Sequence, residues 1–314
     1  MSDTGRPLGL VVMAYGTPRT PDEIEPYYTH IRRGRPPTPE LLAELAARYA
    51  AIGGVSPLAE RTEAQRAALA RALDERMPGQ WRVVLGQKHA TPFIEDAVAE
   101  LARAGVTEAV GLVLAPHYSA FSVGEYQRRA SEAGETMGVT VRTIGHWHLE
   151  PAYVDFLADA VREARVGLPA EHHVLFSAHS LPERALVDDP YPAQLLESAT
   201  AVAGAVGLLP GRDWTLCWQS AGRTPEPWRG PDILEVLREL GATARAKGVL
   251  VCAQGFTADH LEILYDLDIE AATVAAGVGL AFARTRSIND DATVMAALAD
   301  RIVARATEAE RPER

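Results

Sequence analysis

Apolar runs of strand length, separated by segments of helical period, recur along most of this chain, and that alternation limits its fold more than any single motif. The runs are Leu8 to Ala14, Arg82 to Gly86, Ala109 to Ala115, Val139 to Ile144, His173 to Ser177, Thr215 to Trp218 and Val249 to Cys252. Their Val, Leu and Ile are nearly continuous, the pattern of strands buried on both faces. Between them, Asp22 to Ile31, Pro39 to Ala50, Thr62 to Met77, Pro92 to Ala104 and Pro151 to Val166 read as helices, several opened by an acidic residue or proline. Such alternation gives an α/β fold of parallel sheets with helices on both sides. At 314 residues the chain is long enough for two units of this kind.

The chain also repeats itself. Val12 to Pro18, with Ala14, Tyr15 and Pro18, is similar to Phe176 to Pro182, with Ala178, His179 and Pro182. Two related halves follow, one over 1–150 and one over 151–285, with 286–314 as a C-terminal helix and tail that packs back on the first half. Residues 32–58 have no counterpart in the second half and read as an insertion at the mouth of a cleft. Ligands of open parallel sheets bind beyond the carboxyl ends of the strands, so Tyr15 and His179 are expected on opposite walls of that cleft.

The net charge of -11 argues against nucleic acid as the main partner, because an anionic surface repels phosphates. Arg32, Arg33 and Arg35 form a local basic exception. No apolar stretch has the length of a signal core or a membrane span, so a soluble cytoplasmic protein is expected. Cys217 and Cys252, the only cysteines, sit in apolar runs and read as reduced core thiols, and two cysteines cannot build a four-cysteine iron-sulfur site.

Glu262, Asp266 and Glu270 recur at intervals of four and would share one helix face. Like charges at that spacing repel, so either a solvated acidic face or a path for metal or protons accounts for them. His179, in a loop with Ser177, Ser180 and Pro182, is either structural or a suitably placed base. Together with the acids it makes a loose site for a borderline metal, with fewer ligands than a closed cage. His146 with His148 and His172 with His173 lack a clustered third ligand and read as surface residues, while His89 and His117 are open. No phosphate-binding glycine loop of the Gly-x-x-x-x-Gly-Lys type occurs.

At these segments the sequence resembles the ferrochelatase family, and within it the soluble bacterial branch that acts on coproporphyrin III. The resemblance rests on Val174 to Glu183, on Trp218-Gln-Ser through Trp228-Arg-Gly-Pro231, and on Gly255 to Asp266. Met13 to Pro18, Tyr27 to Gly34, Ile52 to Leu58 and Pro92 to Ala97 add to it. It implies two Rossmann-like domains with a macrocycle held in the cleft between them and Fe2+ as a substrate. His179 and Glu262 are then the catalytic, metal-transfer pair, with Asp266 and Glu270 the acids behind it, where a second divalent cation such as Mg2+ can bind. Tyr15 would face iron from the opposite wall. Arg32, Arg33, Arg48, Ser56 and Tyr126 would border the macrocycle or bind its propionates, with Lys88 and His89 nearby.

The resemblance further implies a monomer that makes transient contact with a coproheme decarboxylase. Ala253-Gln254 depart from the family's proline and aliphatic residue before Gly255. The basic, proline-rich stretch Arg32 to Pro39 favours a substrate with four propionates. Alternative readings are a protoporphyrin IX enzyme, a cobalt chelatase and a non-catalytic porphyrin carrier.

Overall fold

The computed structural model describes residues 7–308, so residues 309–314 of the expected tail lie outside the described residues. The first half runs β1 (Leu8–Ala14), α1 (Ile24–Ile31), α2 (Pro39–Ala51), α3 (Leu58–Arg76), β2 (Trp81–Gln87), α4 (Ile94–Arg103), β3 (Glu108–Val113), α5 (Val123–Met137) and β4 (Thr140–Ile144). There follow α6 (Pro151–Ala164), β5 (His172–His179), α7 (Tyr191–Ala205), β6 (Trp214–Gln219), α8 (Ile233–Thr243), β7 (Gly248–Cys252), α9 (Leu261–Leu264), a π-helical stretch (Asp266–Ala271), α10 (Ala272–Gly277), β8 (Ala281–Arg284) and α11 (Ala292–Thr307).

The strands form two parallel four-stranded sheets of matching order, β2-β1-β3-β4 and β6-β5-β7-β8. In each, the first strand in sequence lies second in space, so the ends of β1 and β5 occupy equivalent places. All seven expected strands are present. An eighth, β8, went unread because Ala281–Arg284 holds one large apolar residue and is half-buried throughout. Helix starts follow local chemistry. Thr38 accepts from Leu41 N ahead of α2, whose first turn carries Pro39 and Glu40. Asp232 and Glu235 form a reciprocal capping box on α8.

The largest apolar cluster lies between the sheets and draws on both. It joins Leu10, Val12 and Leu112 of the first to Val174, Phe176 and Leu250 of the second, through side chains of α3, α6, α7 and α11. α11 packs on α3, β3 and β4, as well as on α6. A second cluster packs α4 and α5 on the outer face of the first sheet, and a third packs α8 and the π-helical stretch on the second. A far smaller one, Ile24, Tyr49 and Leu261, pins α1 and α2 to α9 across the cleft. Among the described residues, no helix is long and apolar enough to cross a membrane.

Candidate active site

β5 ends on His179, and the chain turns at once into Ser180. The His179 Nδ1 lies 2.5 Å from the Ser180 carbonyl oxygen. A carbonyl only accepts, so Nδ1 carries the proton and Nε2 is left to face Glu262, 3.6 Å from its Oε1. His260 repeats the arrangement, with Nδ1 donating to the Ala258 carbonyl at 2.9 Å and Nε2 3.6 Å from Glu262 Oε2. The Glu262 carboxylate is thus bracketed by two imidazoles. Burial raises its pKa, but His179, His260 and Arg48 outweigh that and hold it down at about 2.

Behind Glu262, Asp266 is 5% exposed, and its two oxygens are taken by the Arg48 guanidinium and, at 2.5 Å, by the Ser220 hydroxyl. Burial, together with the charges of Glu262 and Glu270, nevertheless pushes its pKa up to about 6 against the pull of Arg48 and Ser220. Glu270 is exposed. The three acids therefore run from the reacting centre outward and keep to one side of the segment. The helix changes at Asp266 to i to i+5 bonding, and its wider turn still keeps residues four apart close to one side. They share a cavity of about 270 Å³, which Arg48, Ser220 and Arg223 also line. Arg223 reaches across it to pair with Glu44 of α2.

Tyr15 follows β1 on the facing wall and is 43% exposed. Although the side chain is open at the cleft surface, the protein around its hydroxyl and then the Glu262 charge push its pKa above the ordinary tyrosine value. Gly16 next to it has φ +91, a backbone that L side chains rarely adopt, and its place for a Cβ is filled by Ala90 at 2.8 Å. The Tyr15 ring lies 4.6 Å from that of His89 between centroids, and His89 Nδ1 is 3.0 Å from His30 Nδ1. Burial and then Lys88 push His89 down to about 3, so it stays a neutral imidazole. Lys88 is paired with Glu125 at 2.7 Å and sits over the ring of Tyr126, which is buried.

The remaining expected contacts divide. Arg33 and Arg35 are exposed, and Arg32 donates to the Arg35 carbonyl at 3.3 Å. Arg48 lines the cavity, pairs its guanidinium with Asp266 and lies over the ring of Tyr265. Ser56 is buried, and its hydroxyl accepts from Leu58 N at the start of α3. Two surface expectations fail: His148 and His173 are buried, bonded to Glu197 and to the Thr215 hydroxyl at 2.8 Å each. Gln254, the departure before Gly255, is fully buried and anchors its loop to α7 through Ser198 and the Leu195 carbonyl.

Sequence reading missed His260, Gln219 and Tyr191, whose hydroxyl donates to the His179 carbonyl at 3.3 Å. Among the described residues no group of three or more His, Cys, Asp or Glu converges to hold a metal. A pair such as His179 and Glu262 can receive a divalent ion and release it to a better ligand.

Known proteins resemble this chain along most of its length. Coproporphyrin III ferrochelatase of Halalkalibacterium halodurans is 46% identical over 292 residues, covering 91% of this chain and 93% of the relative. That of Bacillus subtilis is 44% identical, covering 93% and 96%. Among solved structures, SirB from Bacillus subtilis with Fe3+ shares the fold, with a TM-score of 0.54 at 14% identity and 96% coverage of each chain. The Ferrochelatase family model matches residues 7–306, and the chain belongs to that family.

Proposed function

We propose that this chain inserts Fe2+ into coproporphyrin III, releasing two protons as iron enters. The observation that carries the reading is the His179 Nε2, freed by the bond of Nδ1 to Ser180 and set 3.6 Å from a carboxylate that stays ionised. A macrocycle seated in the cleft lies between this pair and Tyr15. His179 Nε2 accepts a pyrrole proton, and Glu262, negative across the working range, stabilises the resulting imidazolium and draws the cation to the same face. Asp266 and Glu270 then offer a path for protons to solvent.

In this reading Fe2+ is a substrate and the chain works as a cytoplasmic monomer, whose elution volume in gel filtration checks the last point. A second divalent cation has its place at Glu270, since Asp266 is held by Arg48 and Ser220. Stimulation by Mg2+ that Glu270→Gln abolishes would be its signature.

The deciding experiment is anaerobic insertion by purified His179→Ala. Loss of a general base lowers rate by about 100- to 10,000-fold. Metallation of coproporphyrin III at near wild-type speed would remove His179 from the mechanism. Binding of the macrocycle by the wild type without any insertion would point to a carrier instead.

A further inference from the structure

His179 and Glu262 are the reacting pair of the reading above, yet at 3.6 Å they are too far apart to be held by a hydrogen bond to each other. They come from elements 83 positions apart in sequence, one at the end of a strand and one in a four-residue helix. Something else must fix the gap.

Gln219 is the last residue of β6 and pairs in register with His179. It is 1% exposed, and Ser177, on the neighbouring strand, is fully buried. Its carbonyl accepts from Ser180 N at 2.8 Å. Its side-chain Nε2 donates to the Glu262 carbonyl at 3.1 Å. Since that carbonyl can only accept, the amide orientation is settled, and Oε1 faces Ser177, whose hydroxyl donates to it at 2.8 Å. A single residue therefore bonds the backbone beside His179 and the backbone of Glu262, with Ser177 locking its amide against rotation.

We propose that Gln219 is a positioning residue that sets the spacing of His179 and Glu262, acting on the transfer of metal and protons and not on seating of the macrocycle. A hydrophobe of similar size at this place fills the volume but takes this bond from the Glu262 carbonyl and leaves the buried Ser177 hydroxyl without its acceptor, so the short helix is less firmly held. Misplacement of a reacting group by about 1 Å costs on the order of 100-fold in rate.

The test compares Gln219→Leu, alone and with His179→Ala, against wild type and His179→Ala, using coproporphyrin III and Fe2+ under anaerobic conditions. The expected result is a kcat lower by about 10- to 100-fold with coproporphyrin affinity, read by fluorescence quenching, within about twofold of wild type. In the His179→Ala background the same change should alter the residual rate by less than about threefold, because residues acting as a unit are not additive. Retained coproporphyrin binding reports that the variant folds. Should Gln219→Leu not fold, Ser177→Ala, which only frees the amide, is expected to lower kcat in the same sense by about three- to tenfold. A wild-type kcat in the folded Gln219→Leu variant, or the same fold-loss in both backgrounds, overturns the inference. The inference rests on His179 and Glu262 being the reacting pair, and the two fail differently. If that reading is wrong, His179→Ala alone keeps its activity. If only the role of Gln219 is wrong, His179→Ala is inactive and Gln219→Leu is not selectively impaired in kcat.

Discussion

Two opposed effects meet at Asp266, and their balance can be measured. Its ion pair with Arg48 favours the carboxylate, whereas burial and the charges of Glu262 and Glu270 favour the protonated acid. Burial and like charge win, lifting the pKa from its ordinary 3.8 to about 6. A rise of that size corresponds to about 3 kcal/mol between protonation states. Because the folded value lies above the unfolded one, this acid's contribution to stability is complete below pH 4 and is lost as pH rises towards and through 6. Asp266→Asn removes the titration and keeps the shape. Because the pull of Arg48 is already contained in the shifted pKa, the stability of the variant relative to wild type should improve by about 2 kcal/mol between about pH 4 and about pH 7.5. Denaturant unfolding of both proteins across that range, with tryptophan fluorescence as the probe, gives the difference directly. A difference that is flat, or that moves against the variant as pH rises, would mean that Arg48 dominates and that Asp266 is an ordinary ionised partner.

Other expected outcomes follow from the walls of the cleft. Replacing Arg32 and Arg33 together by Gln should erase a preference for coproporphyrin III over protoporphyrin IX in parallel kinetics, and unchanged selectivity would show that the basic stretch does not read propionates. Gly255→Ala should lower both stability and kcat, since a Cβ there would stand 2.6 Å from the Ala178 Cβ and 2.8 Å from its Cα, next to His179. Overpacking of this kind costs about 1–3 kcal/mol, and a wild-type melting temperature would contradict it.

The alternation of strand and helix was legible because buried parallel strands must be apolar almost without interruption, as in Val174 to Phe176. β8 lacked that signature, and α3 begins at Leu58 and not Thr62 because the turn at Ser56 and Pro57 is made by a single hydroxyl bond. In the site, His179 and Glu262 were visible through their motifs. His260 and Gln219 sit in the same motifs but gain meaning only from contacts across the fold, such as Gln219 with Glu262 over 43 positions. Arg48 entered through the family resemblance, and its partner Asp266, 218 positions on, is visible only in the fold. The π-helical stretch was unreadable, since carboxylates four apart fit an α-helix equally well.

The apolar cluster shared by the two sheets has a mechanical consequence. Swinging the walls apart as rigid jaws would bring Leu10, Phe176, Leu250 and their neighbours to water, at about 1.5–3 kcal/mol for each large side chain, a cost that opposes such a hinge. The corner closed by Ile24, Tyr49 and Leu261, with partly buried neighbours such as Leu42 and Tyr265, is a far smaller seam. A flat ring the size of a tetrapyrrole is expected to enter and leave by loosening that seam, with α1, α2 and α9 yielding while β1 and β5 stay rigid. Amide hydrogen exchange, fast along the seam and slow in the two central strands, would record the difference.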